Sequence, residues 1–243
     1  MRPLDTADLL QAWERGLALP PAERALLLLA AAEPDTPPEL LARRSVGQRD
    51  AGLLRLREWA FGPAMDCVAA CPACGEQLEL ALSTADLRLS APEPPDLIRL
   101  EVGGYEICAR VPCAGDLLAL ERCGEHHTAR RRLLACCLLD VRCSDAAVPI
   151  DELPPEVLGA VAERMADADP LALLQVALTC PQCGHCWEPI VDIVPFFWSE
   201  IASWANRLLR DVHLLASAYG WCEAEILALS PARRQAYLDM VSE

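Results

Sequence analysis

Four of the thirteen cysteines in this 243-residue chain occur in two copies of one motif. The copies are Cys71-Pro72-Ala73-Cys74-Gly75 and Cys180-Pro181-Gln182-Cys183-Gly184. A Cys-x-x-Cys-Gly segment folds into a tight knuckle whose backbone amides face the sulfurs, with glycine supplying the positive φ that completes the turn. Two knuckles that meet offer four thiolates to one ion in a closed tetrahedral site. Such a site leaves no position for water, so its role is structural. The pattern predicts one structural zinc ion per chain, held by Cys71, Cys74, Cys180 and Cys183. The knuckles stand 105 residues apart, against roughly 15–20 in short zinc ribbons, so nothing local brings them together. Cys186, His185 and Cys67 lie close enough in sequence to replace one ligand. A redox dithiol is the competing chemistry, but it calls for a Cys-x-x-Cys at a helix N-terminus in a βαβ unit, and strands are expected beside both pairs.

Other reactive residues fit no clear pattern. Cys108, Cys113, Cys123, Cys136, Cys137 and Cys143, with His126 and His127, match no ligand spacing, so small core thiols are expected. Cys136, Cys137, Leu138 and Leu139 read together as the buried face of one helix. His213 is flanked by Val212 and Leu214 within a helix and reads as packed or surface-facing. Arg130-Arg131-Arg132 reads as a solvated, ion-paired helix face or as a docking patch. Gly103-Gly104 precedes no helix and is a turn rather than a phosphate loop.

The elements that must position the cysteines follow from hydropathy and punctuation. Residues 4–62 suggest three or four short helices, with Ser45 capping the longest. That helix would bury Leu53, Leu56 and Ala60 and turn Arg49, Arg55 and Glu58 elsewhere. Gln77 to Leu82 alternates as a half-buried strand does, and 97–102 with 105–111 form a hairpin through Gly103-Gly104. Helices are expected at 116–122, 129–139, 155–165 and 170–174. A strand at 173–179 enters the second knuckle and 187–193 returns from it. A long helix begins near Pro195 and ends at Gly220, and two short ones follow. The expected class is α+β and mostly helical. A small antiparallel zinc-ribbon-like sheet is interrupted by a helical insertion and flanked by N- and C-terminal helices. The segments are 1–62 (N-terminal helices), 63–112 (first half of the ribbon sheet), 113–171 (insertion), 172–194 (second half) and 195–243 (C-terminal helices).

Composition limits the function. The chain is 53% hydrophobic but only 5% aromatic, so Leu, Ala and Val must build its core. All 21 basic residues are arginine, and the net charge is −15. Residues 63–194 hold 9 Arg against 21 Asp plus Glu. That balance repels phosphate backbones and argues against nucleic acid as a partner. Asp5 and Asp8 interrupt the start, so no secretion signal is expected. The longest uncharged apolar run, Ala25 to Ala32, is too short for a bilayer. A cytoplasmic protein without membrane or small-molecule partners is the expectation.

Scattered blocks carry a resemblance. They are Leu9-Leu10-Gln11-Ala12-Trp13-Glu14-Arg15-Gly16, Val46-Gly47-Gln48-Arg49-Asp50, Phe61-Gly62, and Pro112-Cys113-Ala114-Gly115-Asp116-Leu117. The tail adds Asp211 to Ala216, Tyr219-Gly220-Trp221, Glu225-Ile226-Leu227, Arg233-Arg234 and Tyr237-Leu238. Together they resemble the baseplate hub assembly chaperone family of contractile-tailed phages and phage-like injection systems. The resemblance implies a non-enzymatic protein that helps assemble a baseplate, with baseplate or hub proteins as partners. Cys222 departs from the Ser-like cap expected before Ile226-Leu227. Two other readings remain: a zinc-ribbon regulatory or nucleic-acid-associated protein, and a thiol-disulfide oxidoreductase. The tail aromatics Trp198, Trp204, Tyr219, Trp221 and Tyr237 offer either docking hot spots or internal packing.

Overall fold

The computed structural model describes residues 1–87, 93–123, 129–144 and 146–241. His126 and His127 lie outside them, as does the side chain of Cys123. The chain is α+β and mostly helical, with small antiparallel sheets.

Four helices open it: α1 (Thr6–Gly16), α2 (Pro21–Ala32), α3 (Pro38–Arg43) and α4 (Val46–Phe61). Their starts follow local chemistry. The Asp5 carboxylate accepts from the Asp8 N–H at 2.8 Å. Ser45 and Gln48 form a reciprocal capping box at the head of α4, each bond 3.1 Å long. The N-cap of α2 is Pro20, which makes no side-chain cap bond. Its Ala22 N–H instead donates to the Glu121 carboxylate, 99 residues away, at 3.0 and 3.1 Å.

The first knuckle joins β1 (Ala64–Ala70) to β2 (Gln77–Ser83), which pair antiparallel from Ala64↔Ser83 to Ala70↔Gln77. The short α5 (Thr84–Leu87) follows. Strands β3 (Ile98–Val102) and β4 (Tyr105–Ala109) form the hairpin expected around Gly103-Gly104, whose φ values of 60° and 82° suit a type I′ turn. That hairpin does not extend the knuckle sheet. It belongs to a separate four-stranded sheet ordered β3-β4-β5-β6, where β5 is Leu138–Cys143 and β6 is Ala146–Ala147. Helices α6 (Ala114–Cys123), α7 (Ala129–Cys137) and α8 (Pro155–Ala168) complete this part. The expected helix 129–139 therefore stops at Cys137, and the chain enters β5. Cys137 is buried and Cys136 exposed, so the pair lines no common face.

The second knuckle joins β7 (Leu178–Thr179) to β8 (Cys186–Trp187), two residues each. These strands are shorter than the expected 173–179 and 187–193. Pro189 has no N–H to donate and breaks the ladder, which resumes as the Gln175↔Ile190 bridge. Helix α9 (Ile193–Tyr219) starts two residues before Pro195, capped by Asp192, and is followed by α10 (Glu223–Leu227) and α11 (Pro231–Val241).

Two main cores result. The first joins α1, α2, α4 and the N-terminal half of α9 through Leu28, Leu29, Leu53, Leu54, Phe197 and Ile201. The second packs α7 and α8 on the four-stranded sheet through Ile98, Ile107, Leu134, Val141, Val157 and Val161. Among the described residues no helix is long and apolar enough to cross a membrane.

Candidate metal centre

Each knuckle is closed by the same two backbone bonds. In the first, Cys71 N–H donates to Glu76 C=O at 2.8 Å, and Gly75 N–H donates to Cys71 C=O at 2.9 Å. In the second, Cys180 N–H donates to His185 C=O and Gly184 N–H to Cys180 C=O, both at 2.9 Å. Gly75 and Gly184 take φ of 79° and 73°, the left-handed region that the turn requires. The leading cysteine of each knuckle, Cys71 or Cys180, is buried, and the trailing one, Cys74 or Cys183, is exposed.

The knuckles face each other, and their sulfurs interleave. Cys71 Sγ lies 3.7 Å from Cys183 Sγ, and Cys74 Sγ lies 3.6 Å from Cys180 Sγ. All four sulfurs fall within 4.8 Å of one another. Four sulfurs 2.3 Å from a central ion define a tetrahedron with edges of about 3.8 Å. The donor set thus fits a soft or borderline dication with no position left open. The electrostatics agree. Burial opposes ionisation of Cys71, but the N–H groups of Cys74 and Ala73 outweigh it and hold the thiol down at about 7. The Glu76 N–H favours the Cys74 thiolate, yet burial and the sulfurs of Cys183, Cys180 and Cys71 push it up to about 12. The Cys71 thiolate forms readily while Cys74 and Cys183 resist, as anions crowded without a cation do.

The three other possible ligands stand apart from this group. Cys186 contacts Thr179 Oγ1 at 3.5 Å. The His185 ring stacks on Trp187, 6.0 Å between centroids. Cys67 Sγ points to the Met65 carbonyl at 3.9 Å. Arg131 pairs with Asp151 at 3.0 Å, and His213 is exposed on α9.

Sequence reasoning missed the buried ions that hold the hairpins' neighbours in place. Arg49, expected off the apolar face of α4, is buried and bonds Asp50 at 2.7 Å. Arg57 donates to both Glu200 carboxylate oxygens, at 2.9 and 2.6 Å, and ties α4 to α9 beside the knuckles. Arg110 grips Asp116 at 2.6 and 2.8 Å. An arginine on a helix otherwise crowded with Leu was the available signal.

The aromatic tail is mostly consumed internally. Phe197 and Trp198 are buried, and the Trp198 ring packs on Gly16 under the Arg24 guanidinium, 4.5 Å from its centroid. Tyr219 stacks on Trp221 at 4.7 Å, and Tyr237 meets the Trp221 ring edgewise at 4.8 Å.

Fold and cluster define an α+β protein whose two chain-distant cysteine knuckles converge on one potential metal site. The chain belongs to the T4 bacteriophage base plate protein family, whose model matches residues 35–198. Both knuckles lie inside the matched span. Comparison with curated proteins and with solved structures returned no match. Membership supports a structural or assembly role in a phage baseplate, among other baseplate proteins.

Proposed function

We propose that this chain is a non-enzymatic assembly protein, a chaperone of hub or baseplate components, for a contractile phage-type tail or injection system. The family match over residues 35–198 carries this reading. We further assign the ion to zinc, one per chain, with Cys71, Cys74, Cys180 and Cys183 as its ligands. Four thiolates at tetrahedral spacing support zinc over hard cations, which take oxygen ligands. The zinc joins the knuckle hairpin β1-β2 of segment 63–112 to the knuckle hairpin β7-β8 of segment 172–194 across the insertion 113–171, and the segments 1–62 and 195–243 supply the flanking helices, whose exposed faces would meet partners. The protein acts in the cytoplasm, where tail components are made, and needs neither nucleic acid nor membrane.

Affinity purification from a host that carries the tail genes tests the assembly role. At least one hub or baseplate component is expected to co-purify during tail assembly. Recovery of the chain alone, while tails form normally, would overturn the reading. Metal analysis tests the site independently. One zinc per chain is expected, with loss in Cys74→Ser and in Cys183→Ser. Both positions are exposed, so neither substitution opens a core cavity. Full zinc content in both variants would reject the ligand assignment.

A further inference from the structure

Helices α9 and α11 leave a groove of about 460 Å³ between them. Its charge runs against that of the whole molecule. Arg207, Arg210 and Arg234 line it against a single acid, Asp211, in a chain of net charge −15. Its apolar part is the half-buried Trp204, Pro231, the buried Leu208 and the 46% exposed Leu214. Arg207 and Arg210 are exposed, and among the described residues neither has a carboxylate within ion-pair distance.

Arg234 is the informative residue. It is 7% exposed, reaches Asp211 only at 3.9 Å, and its Nη1 has no hydrogen-bond partner. A buried guanidinium N–H without an acceptor is costly, and with Asp211 only at 3.9 Å the positive charge beneath the groove is poorly compensated within the described residues. The planar fork of arginine matches a carboxylate bidentately. The neighbouring leucines ask for apolar side chains beside that carboxylate. A phosphate backbone fits less well, because its charge repeats along its whole length and meets the acidic molecule beyond the groove, whereas a peptide can confine its carboxylates to the arginines.

We propose that this groove binds an acidic segment of a partner protein, whose carboxylates engage the exposed Arg207 and Arg210 in the field of the buried Arg234 while its apolar side chains cover Trp204 and Leu214. The groove lies beyond the family-matched residues 35–198. The proposal therefore does not rest on the baseplate reading, and either can fail alone.

Fluorescence anisotropy with the full chain tests it. The probes are a fluorescein-labelled peptide of alternating Glu and Leu residues and the same peptide with Gln in place of Glu. The Glu peptide is expected to bind at least about tenfold tighter, and added salt should weaken it. The double variant Arg207→Gln/Arg210→Gln keeps its fold because both side chains are exposed, and circular dichroism verifies this. It should lose about tenfold in affinity for the Glu peptide. Arg234→Met removes the buried charge and should also weaken binding of the Glu peptide, by less than the double variant, and counts only if its melting curve matches the parent. Equal binding of the two peptides, no binding of either, or no effect of the double variant would overturn the proposal. So would arginine-dependent self-association, which would make a second copy the occupant, or tighter arginine-dependent binding of a labelled single-stranded oligonucleotide.

Discussion

Asp50 lies buried beside Arg49, and burial pushes its carboxyl up to about 6 from an ordinary 3.8. Arg49 opposes that rise, while the charges of Asp192 and Asp169 add to it. The sign of the effect on stability follows. Between about pH 4 and 6 the folded state holds a proton that the unfolded state has released, so this group's contribution falls as pH rises. Below pH 4 both states are protonated and the contribution is full. Asp50→Asn removes the titration while leaving an acceptor for Arg49. The unfolding free energy of this variant relative to the parent, from urea denaturation, should therefore rise as pH moves from about 4 to about 7, with a slope of at most about 1.4 kcal/mol per pH unit. A flat difference would mean that Asp50 ionises normally. Taking the difference cancels the protonation of the cysteine cluster, which both proteins share. The convergence of the four knuckle cysteines was legible because identity and spacing carry the chemistry. Asp50 was not, since Gly47-Gln48-Arg49-Asp50 looks like an ordinary polar first turn until α9 and the 169–172 turn cover it.

At the scale of elements, the head of α4 is the tightest junction between the two cores. The Asp169 carboxylate accepts from the Gly47 N–H at 2.9 Å, a bond that spans 122 residues of sequence. A Cβ on Gly47 would lie 2.0 Å from Asp169 Oδ1 and 3.0 Å from the Ala172 backbone nitrogen. Neither atom is free to move, because the carboxylate is held by the amide it caps. Gly47→Ala should destabilise by about 3 kcal/mol or more, from steric crowding plus a lost cap. Gly159 is the internal control: it lies within α8 with nothing within 4 Å of a new Cβ. Gly159→Ala should stabilise by about 0.5–1 kcal/mol through helix propensity alone. Urea denaturation at 25 °C measures both, and equal effects would refute the contrast. Elements with their own local signals were readable in advance, among them the Ser45 box, the Gly103-Gly104 hairpin and α9 with its terminal glycine. Strand β1 was not, for its Ala-Met-Asp-Cys-Val-Ala-Ala sequence has one β-branched residue, and that Val68 is 64% exposed. Strand β5 opens with two leucines that continue the preceding helical pattern. Pairing with β4 outweighs that preference. Glu121 at the head of α2 was equally invisible, because a cap supplied from another element leaves no mark near the helix it serves.

For the molecule as a whole, the proposed ion would be one fastening among several. The first core is built almost entirely from helices, with Met65 its only buried contribution from a knuckle strand. The Arg57–Glu200 pair holds α4 against α9 without metal. A chelator should therefore loosen the hairpins and leave the helices. Most of the 222 nm dichroism is expected to persist after zinc removal, while amides of residues 64–83 and 174–191 exchange faster. A two-stranded hairpin has little stability of its own, so those segments depend on the ion most. Cooperative loss of the helical signal on chelation would show instead that the ion holds the entire fold. The interval between the knuckles also sets a schedule for the growing polypeptide. Cys71 and Cys74 are made first and must wait for another 105 residues before Cys180 follows. At ordinary translation rates of about 5–20 residues per second, that wait lasts roughly 5–20 s. During it the leading hairpin exists as an open dithiol, able to take up oxidants or the wrong ion. The cluster can close only after Cys183 has been made, so fidelity at this site is a matter of timing as much as of geometry.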